Sequence, residues 1–222
     1  MRDYYDARAD EYDDWWRGTG LFADRDRPGW AGEVLGLAAA LSGLPPCRTL
    51  DVACGTGFLT RHLPGEVIGS DQSERMLAIA RGRVPGGRFV RADAFALPFS
   101  DAAFDRVFTG HFYGHLDPAE RAAFLGEARR LAPELVIVDS ALRPGVAAEA
   151  IQERTLNDGS RWEVLKRFFT ADGLLAELRE AGCGGGSLGA TTGAAAAGAT
   201  SGAAEATVFA GTWFVAVRVA LR

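Results

Sequence analysis

Leu50-Asp51-Val52-Ala53-Cys54-Gly55-Thr56-Gly57-Phe58 is the stretch whose reading decides the fold. Apolar residues run into a segment with glycine at positions 55 and 57, and 58–63 (FLTRHL) then opens a helix pattern. That order spells strand, tight turn, helix. Glycine lets the backbone bend sharply there and leaves no Cβ in the way of a ligand. The helix expected over 58–63 would offer free N–H groups to an anionic or polar group. Asp51, just before the turn, adds a carboxylate suited to a cationic amino group, directly or through water. The dinucleotide fingerprint G-x-G-x-x-G needs a third glycine, and Thr60 occupies that place, which counts against a nicotinamide enzyme.

Working outward, strand and helix patterns alternate. Strands are expected over 48–53, 66–70, 88–91, 104–109 and 134–139, with helices over 74–83 and 118–131 between them. The 134–139 run is apolar on nearly every residue, which suits a parallel strand covered on both faces. Such βαβ units build a doubly wound sheet. Upstream, 3–17 reads as one amphipathic helix and 30–41 as a second, ended by Pro45 and Pro46. Residues 140–169 break the rhythm and read as a loop with a short helix lying over the carboxyl ends of the strands. A helix over 170–181 follows, with Thr170 as its N-cap. The Gly/Ala tract 182–204 has little side chain to bury and reads as a flexible loop. Residues 206–219 then form a β-hairpin.

The 222 residues suit one α/β domain, with 48% apolar residues to bury and 24% charged. The net charge is −5, without the basic stripe of a nucleic-acid binder. Cys47, Cys54 and Cys183 form no C-x-x-C pair, so no metal is expected and the thiols read as reduced and cytoplasmic. No signal-peptide core and no apolar run of ~20 residues argue for a membrane. Oligomeric state is open between monomer and homodimer.

Twenty residues beyond Asp51, Asp71 ends the second strand, where a carboxylate accepts hydrogen bonds from ribose hydroxyls. Asp51–Gly57 (DVACGTG), 69–77 (GSDQSERML), 91–94 (RADA), 97–105 (LPFSDAAFD) and the fifth strand together resemble the class I S-adenosylmethionine (SAM) dependent methyltransferases, over roughly residues 3–140. The resemblance implies a Rossmann-like α/β fold: a seven-stranded sheet of five parallel strands closed by the C-terminal hairpin. It implies one domain over 1–222, with N-terminal lid helices (1–45), a cofactor-binding core (46–140), a substrate-side insertion (141–169) and a final helix and hairpin (170–222). It also implies SAM as cofactor, with S-adenosylhomocysteine as product, and a small-molecule acceptor methylated on O, N or C.

The same resemblance assigns roles. Ala53, Gly55 and Gly57 would line the methionine half, whose carboxylate would face the following helix, and Asp51 its amino group. Asp71 would hold the ribose with Gln72 beside it. Met76 would pack near the adenine, Asp93 and Ala94 would bond it, and Thr109 to His111 would close the methionine side. Tyr4, Tyr12 and Trp16 would belong to the lid.

His111 and His115, at the carboxyl end of the fourth strand, are the candidate bases, with Tyr113 as an orienting hydroxyl. Arg154, Arg161 and Trp162, with Tyr12 and Trp16, are the candidate acceptor contacts; Lys166 and Arg167 add charge to the same segment. Two other readings share these motifs: a SAM-binding enzyme of the same fold with non-methylating chemistry, and a SAM-binding protein without chemistry.

Overall fold

A computed structural model of the chain describes residues 2–184 and 205–221; most of the Gly/Ala tract therefore lies outside the described residues. The chain opens with α1 (Arg2–Arg8) and α2 (Asp14–Arg17), then α3 (Trp30–Ser42) and strand β1 (Cys47–Val52). Next come β2 (Gly65–Asp71), α4 (Glu74–Arg83), β3 (Arg88–Arg91), β4 (Arg106–Gly110), α5 (Pro118–Leu131) and β5 (Glu134–Ser140). The rest comprises β6 (Glu149–Thr155), β7 (Arg161–Arg167), α6 (Ala171–Glu180), β8 (Glu205–Ala210) and β9 (Phe214–Ala220).

Seven strands form one sheet in the order β3-β2-β1-β4-β5-β9-β8. The first five are parallel, and β9 runs antiparallel to both β5 and β8. This is the doubly wound, hairpin-closed sheet expected. The strand order, not the strand direction, reverses between β1 and β4, so these are the neighbours whose carboxyl ends frame a crevice.

The two-residue period of the strands sorts their side chains onto two faces. From β5, Leu135 and Ile137 meet Phe124, Leu131, Leu174 and Leu178 of α5 and α6. Val136 and Val138 face the other way, toward Leu37 and Leu41 of α3 and the rings of Trp16 and Trp30. Local chemistry sets the helix starts: Ser73 and Thr170 accept from Met76 and Gly173 N–H groups, and Asp117 with Glu120 closes a capping box on α5. Among the described residues no helix is long and apolar enough to cross a membrane.

Three expectations are corrected. No α-helix follows the glycine turn; only a 3₁₀ turn, Thr60–His62, fits there. Pro64 and the start of β2 leave room for a single turn, and Thr60 spends its hydroxyl on Asp51, at 2.6 Å. The helix over 3–17 is broken by a 3₁₀ turn at Ala9–Glu11. Beyond the break, Asp13 accepts from Thr56 and pairs with Arg83, and Gly18 (φ 68°) caps α2. Finally, residues 149–167 form an antiparallel hairpin, not a helix-bearing loop. Its connection turns at Gly159 (φ 82°), with Leu156 N–H donating to the Ser160 carbonyl at 3.0 Å.

Candidate functional site

The glycine turn is built for close approach. Ala53, Gly55 and Gly57 all have positive φ (58°, 54° and 74°). A Cβ on Gly57 would press on Ala80 of α4 at 3.3 Å, whereas one on Gly55 would meet only the Tyr12 ring, at 3.7 Å. Gly57 is therefore a packing glycine and Gly55 the open one. The turn's Gly55 N–H donates to Asp71 Oδ2, and Ser73 N–H, at the start of α4, donates to Oδ1, both at 2.9 Å. Burial raises the Asp71 pKa, and these N–H donors oppose the rise.

A cavity of about 280 Å³ opens over this turn. Ala53, Gly55, Asp71, Gln72 and Ala94 line one side, and Tyr12, His111 and His115 the other. Asp51 is buried just behind it. Its Oδ2 accepts from Thr60, while Oδ1 has no partner. Asp51 borders a 20 Å³ crevice that shares Tyr12, Ala53 and Gly110 with the larger cavity. That is room for one water, which needs ~10–15 Å³. Burial lifts the Asp51 carboxyl to about 8.

A second cavity, of about 450 Å³, lies on the far side of Tyr5, Tyr12, His111 and His115, which line both chambers. Its walls carry Arg154 and Lys166 from the β6–β7 hairpin, Trp15 and Trp30 from the N-terminal region, and Trp213 from the β8–β9 turn. The hairpin and α1 close over it together: Tyr4 packs with Leu156 and Val164, and Asn157 N–H donates to Glu11 at 2.8 Å.

The two histidines on the shared wall differ. His111 has φ 55° and edge contacts with Trp15 and Trp16; its Nε2 is buried without a partner. His115 Nδ1 lies 2.6 Å from the Leu165 carbonyl oxygen. A carbonyl only accepts, so Nδ1 carries the proton and Nε2 keeps its lone pair. Burial, with Lys166 adding to it, holds both imidazoles at about 3, hence neutral near pH 7. Lys166 is itself paired with buried Asp139 at 2.6 Å, and Asp139 accepts from Gly114 N–H at 2.7 Å. These bonds stitch the hairpin to the β4 loop. His111 and His115 stand four residues apart, a spacing metal pairs also use, but no cluster of three His, Cys, Asp or Glu occurs among the described residues.

Several sequence-predicted residues fall outside the cavities. Tyr113 is buried with its hydroxyl donating to Glu177 of α6 at 2.9 Å, so it orients nothing in the site. Met76 is fully buried core under α4, and Thr109 spends its hydroxyl on the Val52 carbonyl. Asp93 is exposed and accepts from Phe95 N–H. Arg161 faces solvent beside Glu153, and Trp162 packs on Tyr4. Trp16 stacks on Phe58 and borders only the small crevice near Asp51. Reasoning from sequence missed Arg8, Arg25, Arg27 and Arg143, which all line the second cavity. They are scattered over 135 residues of chain and lack any shared motif, so only the fold unites them.

Comparison with known proteins bears on this geometry. Residues 49–134 match the family model described as a methyltransferase domain. A demethylmenaquinone methyltransferase of Thermus thermophilus is 43% identical over 106 residues, covering 42% of this chain and 47% of that protein. A phthiotriol/phenolphthiotriol dimycocerosates methyltransferase of Mycobacterium ulcerans is 34% identical over 126 residues, 52% of this chain and 41% of its own length. The chain thus spans about half the length, or less, of these curated relatives. A solved structure described as a DhpI-SAM-HEP complex shares the fold, with TM-score 0.68 and 24% identity over 97% of this chain and 94% of that one. A SAM-dependent methyltransferase from Thermotoga maritima aligns over the full length of both chains with TM-score 0.61 and 20% identity. Residues 49–134 thus match a methyltransferase domain, and over nearly the whole chain the sheet order is the fold shared with these solved structures.

Proposed function

We propose that this protein transfers the methyl group of SAM to a small-molecule acceptor. The observation that carries the reading is the pair of cavities meeting at Tyr5, Tyr12, His111 and His115. One holds the glycine turn and Asp71; the other holds aromatic and cationic side chains.

The residues present fit the cofactor. The open Gly55 admits a ligand against the backbone, Asp71 retains acceptor capacity for ribose hydroxyls, and the unpartnered Oδ1 of Asp51 suits a cationic amino group through one water. Bound SAM supplies a methyl already activated by its positive sulfur. The protein's part is to align the acceptor in line with that methyl and to keep water out. Tyr12 and the indoles of Trp15 and Trp30 form the dry wall. For an acceptor that must lose a proton, His115 Nε2 is the base, because its other nitrogen is committed to Leu165. His111, with Nε2 buried and unpartnered, is the second candidate. The three free thiols support a reduced, cytoplasmic setting, and the net charge of −5 supports a small acceptor over a nucleic acid.

Isothermal titration with SAM and S-adenosylhomocysteine, with NAD as control, tests the reading. Binding of both sulfur ligands and none of NAD is expected, followed by labelled-methyl transfer to an acceptor panel. Failure of both sulfur ligands to bind would sink it.

A further inference from the structure

The second cavity has a charge pattern that the chain as a whole does not. The protein carries 29 acidic and 24 basic Lys and Arg side chains. Yet this cavity is lined by Arg8, Arg25, Arg27, Arg143, Arg154 and Lys166, against a single acid, Glu153. Lys166 is neutralised by Asp139, and Glu153 is paired with Arg161. Among the described residues none of the five guanidinium groups is ion-paired with a carboxylate.

Their partners are neutral groups. Arg8 donates to the Tyr4 hydroxyl and lies over the Tyr12 ring. Arg25 lies over Phe22, Arg27 over Trp30 and Arg143 over Trp213, at 4.7, 3.9 and 4.1 Å from the ring centroids. Arg154 donates to Gln152, and its Nε is buried with no partner at all. A buried, unsatisfied guanidinium N–H is costly. Glu33 acts on Arg143 from nearby, but like charges that outnumber the carboxylates around them add to that cost. Burial lowers the pKa of Arg27, Arg143 and Arg154. Arg27 also donates to the Trp15 carbonyl at 2.9 Å. Guanidinium groups placed over aromatic rings and engaged by no carboxylate match the fork that planar or tetrahedral oxyanions accept.

We infer that the acceptor carries a multiply charged oxyanion, a phosphoryl-type group or paired carboxylates, which the Arg8/Arg25/Arg27/Arg143/Arg154 cluster holds while His115 faces the atom to be methylated. The inference rests on the methyl-transfer reading for the word acceptor, but the anion site stands on its own residues. The indole rings beneath the arginines add an apolar floor, so an anion attached to a compact carbon frame fits better than a free ion.

The test is titration of the whole protein, without cofactor, with phenyl phosphate, phthalate and uncharged benzyl alcohol. At least one of the two anions is expected to bind and benzyl alcohol not. Stronger binding of phenyl phosphate assigns a phosphoryl-type group, and stronger binding of phthalate assigns carboxylates. Arg154→Gln and Arg143→Gln should each weaken anion binding at least tenfold, while the exposed Arg88→Gln should not. Arg154→Gln should leave SAM affinity unchanged. Because the Arg154 Nε finds no partner within the protein, that variant should unfold at the same or a higher urea concentration; a merely structural arginine would lose stability. Equal binding of benzyl alcohol, no binding of either anion, or unchanged anion affinity in both cavity variants would overturn the inference. If the anion binds and SAM does not, methyl transfer falls and the anion site remains.

Discussion

Thr60 donates its hydroxyl to Oδ2 of Asp51 at 2.6 Å, and no group donates to Oδ1. The carboxyl at the end of the first strand is thereby fixed in orientation and left with one free oxygen in a buried place. Burial is the larger influence on it; the Thr60 bond only partly offsets burial, and the carboxyl stays protonated up to about pH 8. A cationic amino group brought near it stabilises the ionised form. SAM binding at pH 7 should therefore release a proton, and affinity should rise from pH 6 to 8 and then level off. Calorimetry in phosphate and in Tris checks this through the dependence of the heat on buffer ionisation. Wild-type heats that are equal after correction for dilution would contradict it, and Asp51→Asn should abolish the dependence.

Asp71 is tied to Gly55 and Ser73 by its own two oxygens. Asp71→Ala removes both the proposed ribose acceptor and the bond that shapes the turn. SAM affinity should drop at least tenfold, about 1.4 kcal/mol. An unchanged dissociation constant would remove Asp71 from the cofactor site.

His115 is the proposed base for acceptors that need one. His115→Asn should lower kcat by about 10²–10⁴-fold, the usual contribution of a positioned base, with little change in SAM affinity. Full turnover in both His115→Asn and His111→Asn would leave alignment alone to account for the rate.

The same two imidazoles set an acid limit. Their folded pKa of about 3 lies below the ~6.5 of an exposed histidine. Between these values the unfolded chain binds more protons than the folded one, so stability falls as pH drops. The contribution is fully present above about pH 6.5 and is lost progressively toward pH 3. Urea midpoints measured from pH 7 to 4.5 should decline, and the His111→Asn/His115→Asn pair should decline less steeply.

Lys166→Met leaves Asp139 buried without its cation, though still accepting from Gly114 and Ser140 N–H groups. Breaking such a pair costs about 3–5 kcal/mol. Urea unfolding should show a loss of that order, and both histidines should titrate higher, since Lys166 holds them down. Unaltered stability would mean that the carboxylate is satisfied by its backbone donors alone.

The sheet was legible because its signals are local. The 134–139 run, the glycines at 55 and 57 and the Thr170 cap each act within a few residues. The hairpin at 149–167 was not, because its half-buried strands carry charge on both faces, so the alternation in Glu149–Thr155 looks like a solvated loop. The helix after Gly57 failed for a steric reason that Pro64 announces only when the length to the next strand is counted. Of the residues that the resemblance assigns to the cofactor, Gly55, Asp71, Gln72 and Ala94 line one cavity, while Met76 and Thr109 lie in the core. Arg154 alone of the cavity's arginines was visible, because it sits in a charged, aromatic segment; the other four come from three distant segments, Arg8 on α1, Arg25 and Arg27 before α3, and Arg143 after β5.

Lys166 is the only lysine of the chain, and it is 4% exposed. Apart from the terminal amine, acylating reagents therefore find no ready target on the folded protein. Reaction at Lys166 requires the hairpin to lift from Asp139, so the acylation rate at this one side chain reports how often that seam opens. A ligand spanning the two cavities would be read out as protection of a single amine.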